Sequence, residues 1–182
     1  MANPDSGIRD AFSGLVIRPR LEADIDECVR VAAVVQEVDG YPGRRPRDLR
    51  AFLDSSDALS AWVAEYDGGI AGHVAVHGES LPIVMATAAA YLNLEAAEVA
   101  VVARLIVDPA LRRLGIGRAL LDAGAEAAQR HGRHPVLDVA THYDAAIALY
   151  DSCGWRNAGE VTMVFGDGFE LESYVYVAPT SS

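Results

Sequence analysis

A chain of 182 residues is long enough for one domain with a full core, and although 51% of it is hydrophobic, no apolar run approaches the ~20 residues of a membrane-spanning helix. The formal net charge is −11, and all fifteen basic residues are arginine; this argues against a general nucleic-acid binder and excludes lysine self-acetylation and any Schiff-base or lysine-base mechanism. Two cysteines, Cys28 and Cys153, are too few for a disulfide scaffold, and the opening MANPDSGIRD lacks the basic-then-apolar layout of a signal peptide, so the expected setting is a reducing cytoplasm.

In chain order, residues 1–12 read as a loose tail and 13–178 as a single domain. Leu15, Val16 and Ile17 make a short strand ended by Arg18-Pro19-Arg20. A helix then begins at Glu22 with acids in its first turn, and Ile25, Cys28, Val29, Ala32 and Val35 recur at helical spacing. Asp39-Gly40-Tyr41-Pro42-Gly43 is a turn or loop. Arg44, Arg45, Arg47 and Arg50 form a basic cluster opening a second helix near Pro46 to Leu53. Residues 61–66 and 70–77 flank Asp67-Gly68-Gly69 and read as a β-hairpin. Residues 80–96 are alanine-rich without a sharp period, which suggests a short helix or an insertion lying across that hairpin.

Val101 to Val107 is an almost continuous apolar run, broken only by Arg104, and reads as a strand buried on both faces. Asp108-Pro109 ends it. Arg112-Arg113-Leu114-Gly115-Ile116-Gly117-Arg118 then leads directly into a helical pattern, with Ile116, Ala119, Leu120, Ala123 and Ala127 on one face. The first turn of such a helix leaves N–H groups unpaired, the helix dipole adds positive potential, and glycines let an anion approach the backbone closely. A Walker loop would need Lys-Ser/Thr where Arg118-Ala119 stand, and a dinucleotide fingerprint would need a third small residue where Leu120 stands; neither pattern is met. Pro135 to Ala140 is the next strand, parallel to the first because a helix connects them. Asp144 to Cys153 is another helix, closed by Gly154, and two strands (155–164 and 170–177) follow around Gly166-Asp167-Gly168.

Arg112-x-x-Gly115-x-Gly117 behind Leu105-Ile106-Val107-Asp108-Pro109 resembles the acetyl-CoA motif of the GNAT superfamily of N-acyltransferases. Ala145-Ala-Ile-Ala-Leu-Tyr150-Asp-Ser-Cys-Gly154-Trp155 resembles a second segment of that family, in the expected order. The resemblance covers about residues 14–177. It implies an α/β fold, with a mixed, mostly antiparallel sheet, a central parallel strand pair and helices on both faces. It implies that backbone N–H groups from about Arg113 to Arg118, through Leu114, Gly115, Ile116 and Gly117, hold the CoA pyrophosphate, that Arg112 also belongs to the cofactor site, and that main-chain groups of Leu105 and Val107 pair with the pantetheine arm. It further implies an oxyanion donor at Ile106 or Val107, and Tyr150 as the acid that protonates the departing thiolate. Tyrosine stays protonated at neutral pH, which suits that role. One departure stands out: Tyr143 occupies a place where the family often has asparagine, so either Asp144 or Thr141 caps the helix or the cofactor arm is held differently.

Direct transfer to an alkylamine of pKa ~10.4 requires a proton acceptor. Glu98, at the start of the 101–107 strand, is the first candidate, followed by His73, Glu65, Glu37 and Asp39. The expected activity is acetyl-CoA-dependent N-acetylation of a primary amine on a small molecule or peptide, with no metal, nucleic acid or membrane partner. A non-catalytic acyl-CoA-binding sensor or interaction module is the alternative, and a nucleotide-binding α/β protein a third. Strand edges beside the C-terminal hairpin leave room for a homodimer.

Overall fold

The computed structural model describes residues 14–43, 48–54 and 56–180; the expected tail at 1–12 and Arg44, Arg45 and Arg47 lie outside the described residues. Among these residues seven strands form one sheet: β1 Leu15–Pro19, β2 Ala58–Tyr66, β3 Gly69–His77, β4 Val99–Val107, β5 His134–Ala140, β6 Arg156–Val164 and β7 Glu170–Val177. Their spatial order is β1-β2-β3-β4-β5-β7-β6. Every neighbouring pair is antiparallel except β4 and β5, which are parallel. This is the mixed sheet that the sequence implies.

Among the described residues five α-helices cover the sheet: α1 Ile25–Asp39, α2 Leu49–Leu53, α3 Pro82–Leu92, α4 Ile116–Arg130 and α5 Asp144–Ser152. On one face, Ile116, Leu120 and Leu121 of α4 and Tyr150 of α5 pack on Val74, Val102, Leu137 and Val139. On the other, α1 inserts Ile25, Cys28, Val31, Ala32 and Val35 against Val63, Ile70 and Ile106. Val31 is fully buried where the sequence reading had placed Val29, which only packs at the margin of that cluster.

The alanine-rich segment differs from its expectation. It is the helix α3, started by Pro82, and it lies not on the β2–β3 hairpin but on the C-terminal strands, with Val84, Met85 and Ala88 against Val161, Met163, Val175 and Val177. Its exposed side also carries large apolar residues, Ile83 and Tyr91, so no sharp period marks the buried face.

Strand β4 and helix α4 crowd Gly72 of β3 so closely that it has no room for a methyl group. A Cβ there would stand 2.6 Å from the Ile106 carbonyl oxygen and 2.8 Å from Leu120 Cδ1. Because the first obstacle is backbone, Gly72→Ala is expected to destabilise the fold by about 1–3 kcal/mol, read as a lowered urea midpoint with unchanged slope.

Candidate active site

The site begins where the central strands part. β4 and β5 pair only through Val99↔His134, Ala100↔Pro135 and Val101↔Val136. Beyond that point β4 stays with β3 as far as Val107↔Gly72, whereas β5 turns to β7. Near the point of parting, β4 carries an irregularity opposite the His73–Ala75 stretch, and Arg104 there has φ +56°. The Asp108 N–H donates to the Ala71 carbonyl at 2.8 Å, toward β3. By the alternation of a strand, Val107 and Leu105 therefore turn their main-chain groups to the opened edge, while those of Ile106 point toward β3. Of the three strand residues expected at the site, two face the gap and Ile106 supplies core, with its side chain 2% exposed.

At the end of β4 the chain makes a short 3-10 turn at Pro109–Leu111, capped by the Asp108 carboxylate, which accepts from the Ala110 N–H at 3.0 Å. Arg113 and Gly115 take left-handed conformations, φ +67° and +78°. Gly115 is the N-cap of α4 and has no side chain to satisfy the first-turn donors, so the N–H groups of Ile116, Gly117 and Arg118 carry no side-chain cap. That leaves an anion-binding helix terminus open at the mouth of the gap.

The arginines of this loop divide their work. Arg112 pairs with both carboxylate oxygens of Asp39, the last residue of α1, one contact being 3.1 Å. Arg118 reaches α5 and donates to the Ser152 carbonyl and hydroxyl at 3.2 and 3.1 Å. Both side chains thus brace the loop, and the exposed Arg113 remains at the loop surface. Asp39, a candidate base from the sequence, is consumed by the Arg112 pair.

Helix α5 brings Tyr150 under the gap. Its ring packs against Trp155 and Tyr176, with centroids 6.4 and 5.9 Å away, in the same cluster as Leu105 and Val107. Burial pushes its hydroxyl well above the usual tyrosine range, and the neighbouring Tyr41 and Asp138 push it further in the same direction. The group is therefore a protonated donor throughout the neutral range.

Neither Asp144 nor Thr141 caps α5; its N-cap is Tyr143, with no side-chain cap. Tyr143 instead donates to the Gly40 carbonyl at 3.1 Å and packs edge-on against Tyr41, with centroids 5.8 Å apart. Tyr41 in turn accepts a hydrogen bond from the backbone of Arg104. The loop after α1 is so tied to α4's loop, to α5 and to the irregularity in β4, which fixes one wall of the site.

The other candidate bases are not brought to this point. Glu98 sits at the opposite end of the nine-residue β4, about 30 Å from the α4 loop. Its carboxylate accepts from the Glu95 N–H at 2.8 Å and closes a 3-10 turn. Glu65 accepts from Arg18 Nε at 3.0 Å on the far strand pair. Glu37 is exposed on α1.

His73 is buried completely, with Nδ1 3.1 Å from the Arg104 carbonyl and Nε2 3.3 Å from Arg20 Nη1. Donation to the carbonyl and acceptance from the guanidinium fit a neutral ring, and burial lowers its pKa to about 4. Above pH 6.5 the ring is neutral in both folded and unfolded chains, and the stability is intact. Between 6.5 and 4 the unfolded chain takes up a proton that the folded one refuses, so stability falls by about 3 kcal/mol over that window. His73→Gln is expected to lose much less between pH 7 and 4.5 in urea titrations; equal losses would show that other groups dominate the acid limb.

On the α1–α3 face, Ala103 and Arg104 of β4, Asp138 of β5 and His77 of β3, together with Asp57 and Glu79, line a cleft of about 250 Å³. Asp138 shares this face with Val136, two residues before it. Burial raises its carboxyl above the usual range, opposed only by its own backbone N–H. The sequence reading passed over it, although a lone acid within the apolar strand Val136-Leu137-Asp138-Val139 was a signal.

The comparisons agree with this geometry. The sequence profile described as the Acetyltransferase (GNAT) family matches residues 30–155. No curated protein matches the sequence. Among solved structures, the ribosomal-protein-S18-alanine N-acetyltransferase from Escherichia coli is 20% identical, with a TM-score of 0.64 over 92% of this chain and 95% of its own. The yncA protein from Salmonella typhimurium, solved with its cofactor acetyl-CoA, is 20% identical, with a TM-score of 0.66 over 90% of this chain and 92% of its own. An N-acetyltransferase from Staphylococcus aureus Mu50 is 17% identical, with a TM-score of 0.67 over 90% of this chain and 96% of its own. At such identities these likenesses speak for the fold, while the profile, spanning the parted strands, the α4 loop and Tyr150, speaks for the lineage: the chain belongs to the GNAT family of acetyltransferases.

Proposed function

We propose that the protein is an acetyl-CoA-dependent N-acetyltransferase that moves an acetyl group directly to a primary amine of a small molecule or a peptide. One observation carries this reading: the opened edge of β4 runs from a buried, protonated tyrosine to an uncapped helix N-terminus. Acetyl-CoA is the donor of the family, and the residues present suit it. The first-turn N–H groups of α4 would receive the pyrophosphate, and a Cβ at Gly117 would already stand 3.2 Å from Leu149 Cδ2, so glycine keeps that approach clear. Leu105 and Val107 offer main-chain partners for an amide-bearing arm, as an added strand would need. Acetyl-CoA supplies the activated thioester when bound.

The protein's own part is positional and protic. The Val107 N–H, turned to the open edge, lies where a donor to the thioester oxygen is needed. Tyr150 holds a proton close to the gap and delivers it to the leaving sulfur. Acceptor entry from the opposite face, through the cleft under α1 and α3, keeps donor and acceptor apart until they meet between the strands.

The test is calorimetric titration with acetyl-CoA, followed by release of free CoA thiol in the presence of primary amines. Micromolar binding and amine-dependent thiol release are expected. Binding without release from any amine would favour the acyl-CoA-binding module, and no binding would overturn the donor assignment.

A further inference from the structure

The wall of the cleft carries a residue whose backbone is unusual for its side chain. The register of β4 with β3 passes from Ala75↔Ala103 to His73↔Ile106, so Arg104 and Leu105 together stand opposite Val74 alone. This is a β-bulge, and Arg104 takes its left-handed position, φ +56°, which glycine adopts most readily. The bulge has a directional consequence. Successive residues of a regular strand point to opposite faces, yet Ala103 and Arg104 both line the cleft, and Leu105 and Val107 return to the α4 face. An arginine held where a glycine would sit without strain argues for a task of its side chain.

That side chain is oriented. Its guanidinium carbon lies 5.0 Å from the centre of the Phe52 ring of α2, which fixes the plane of the fork. Burial disfavours its charge and lowers its pKa; Arg20 acts in the same direction, Asp57 and Tyr41 in the opposite one. Arg20 is engaged on the Asp54 carboxylate and the Leu53 carbonyl, so among the described residues Arg104 is the one arginine on the cleft wall. Asp57 is 71% exposed and leans toward His77, 3.6 Å away. The other ionisable groups there are His77, kept neutral by burial, and the acids Glu79 and Asp138. A partly desolvated guanidinium gains most from an anion that matches its fork, and a planar carboxylate does so through two parallel hydrogen bonds.

We infer that the acceptor is a small amino acid, a primary amine that carries its own carboxylate, and that Arg104 binds that carboxylate. This names the substrate class of the transferase reading and rests on it. One guanidinium among three carboxylates suits a molecule of both charges, with the ammonium end among the acids and the carboxylate on the fork. A volume of about 250 Å³ is small for a ligand pocket and admits a compact zwitterion. Val101 and Ala103 give its carbon chain an apolar strip. Arg104 directly precedes Leu105, whose main chain faces the parted edge, so an anchored carboxylate holds the amine beside the gap. In the transfer the C–S bond breaks and the N–C bond forms. Of the two protons that the ammonium nitrogen sheds, one ends on the thiol and one in water, and the carboxylate is unchanged throughout.

A purely structural Arg104, bracing Phe52 and the bulge, would matter equally to every acceptor. A carboxylate-binding Arg104 matters only to acceptors that carry a carboxylate, and the ratio between the two kinds separates these roles.

The experiment measures kcat/KM for glycine, β-alanine, 4-aminobutyrate and 5-aminopentanoate, with n-butylamine as the acceptor that lacks a carboxylate, in the full-length wild type, Arg104→Gly and Arg104→Lys. In wild type the best amino carboxylate is expected to exceed n-butylamine by about tenfold to hundredfold. Glycine suits the left-handed position, so Arg104→Gly should fold, and its preference should drop to within about threefold. Arg104→Lys, a charge without the fork, should keep part of the preference. Independently of activity, the Arg104 Nε–H signal in ¹⁵N-arginine-labelled apo protein, assigned by its absence from Arg104→Lys, should shift on adding at least one of the four amino carboxylates and not on adding n-butylammonium. A wild type that uses n-butylamine as well as the amino carboxylates, an undiminished preference in Arg104→Gly, or an Nε–H signal that ignores all four overturns the assignment. Failure of wild type to bind acetyl-CoA overturns the transferase reading instead, and the Nε–H signal still decides whether Arg104 receives a carboxylate.

Discussion

Gly117→Glu is expected to weaken acetyl-CoA binding by at least about a hundredfold while leaving the protein folded. Gly117 lies in the uncapped first turn of α4, two residues after the left-handed Gly115. Its missing side chain faces Leu149 of α5 and Val107 of β4, 3.2 and 3.7 Å from where a Cβ would stand. A glutamate there fills the approach to the N–H groups and sets a negative charge beside the pyrophosphate. At about 5 Å and an effective dielectric near 20, each like-charge pair costs about 3 kcal/mol, and one such pair already exceeds a hundredfold in affinity. Gly117→Ala separates the causes. The nearest atom is the end of a flexible leucine, and alanine favours a helix by about 1 kcal/mol over glycine. The alanine variant should therefore melt no lower than wild type and bind within about tenfold. Calorimetry reads the affinities and thermal melting the fold; a glutamate variant that binds normally would move the pyrophosphate off this turn.

Tyr150→Phe is expected to lower kcat by about 10²–10³, within the range of a lost general acid, with acetyl-CoA affinity unchanged within twofold. The substitution keeps the ring and its contacts with Trp155 and Tyr176, and removes only the hydroxyl. Because burial and its neighbours push that hydroxyl up, it is protonated across pH 6–9, so the loss should be the same at both ends of this range. Stopped assays of thiol release at saturating donor and acceptor measure it. An unchanged kcat would remove Tyr150 from the proton path, and a loss confined to KM would reassign it to packing.

These two residues and Asp138 mark where sequence reasoning reached and where it stopped. The order of elements, the parallel β4–β5 pair and the α4 loop follow from local signals. An apolar run ended by Asp108-Pro109, a glycine-bearing turn and a helical period each act within a few residues of chain, where conformational preference and hydrophobic pattern are strong. The roles of individual charged groups did not follow. Glu98 stands beside β4 in sequence, yet the extended backbone carries it about 30 Å from the α4 loop, and its carboxylate accepts from the Glu95 N–H. Asp39, 73 residues before Arg112, is bound to it, and Tyr143 meets Gly40 across 103 residues. Such pairings depend on the packing of α1 and α5 around the sheet rather than on any local period.

The placement of α3 has the same cause. Its composition says helix and says apolar, but a helix with large apolar residues on more than one side does not declare its partner. The partner was decided by where β6 and β7 left a face uncovered. The chain's own residues thus determine the secondary structure, the family and the donor-binding turn, because those are properties of short stretches. The cleft lined by His77, Arg104 and Asp138 comes from tertiary structure alone. Only the parting of β4 from β5 beyond Val101↔Val136 sets Asp138, from the interior of a strand, on the wall of that cleft.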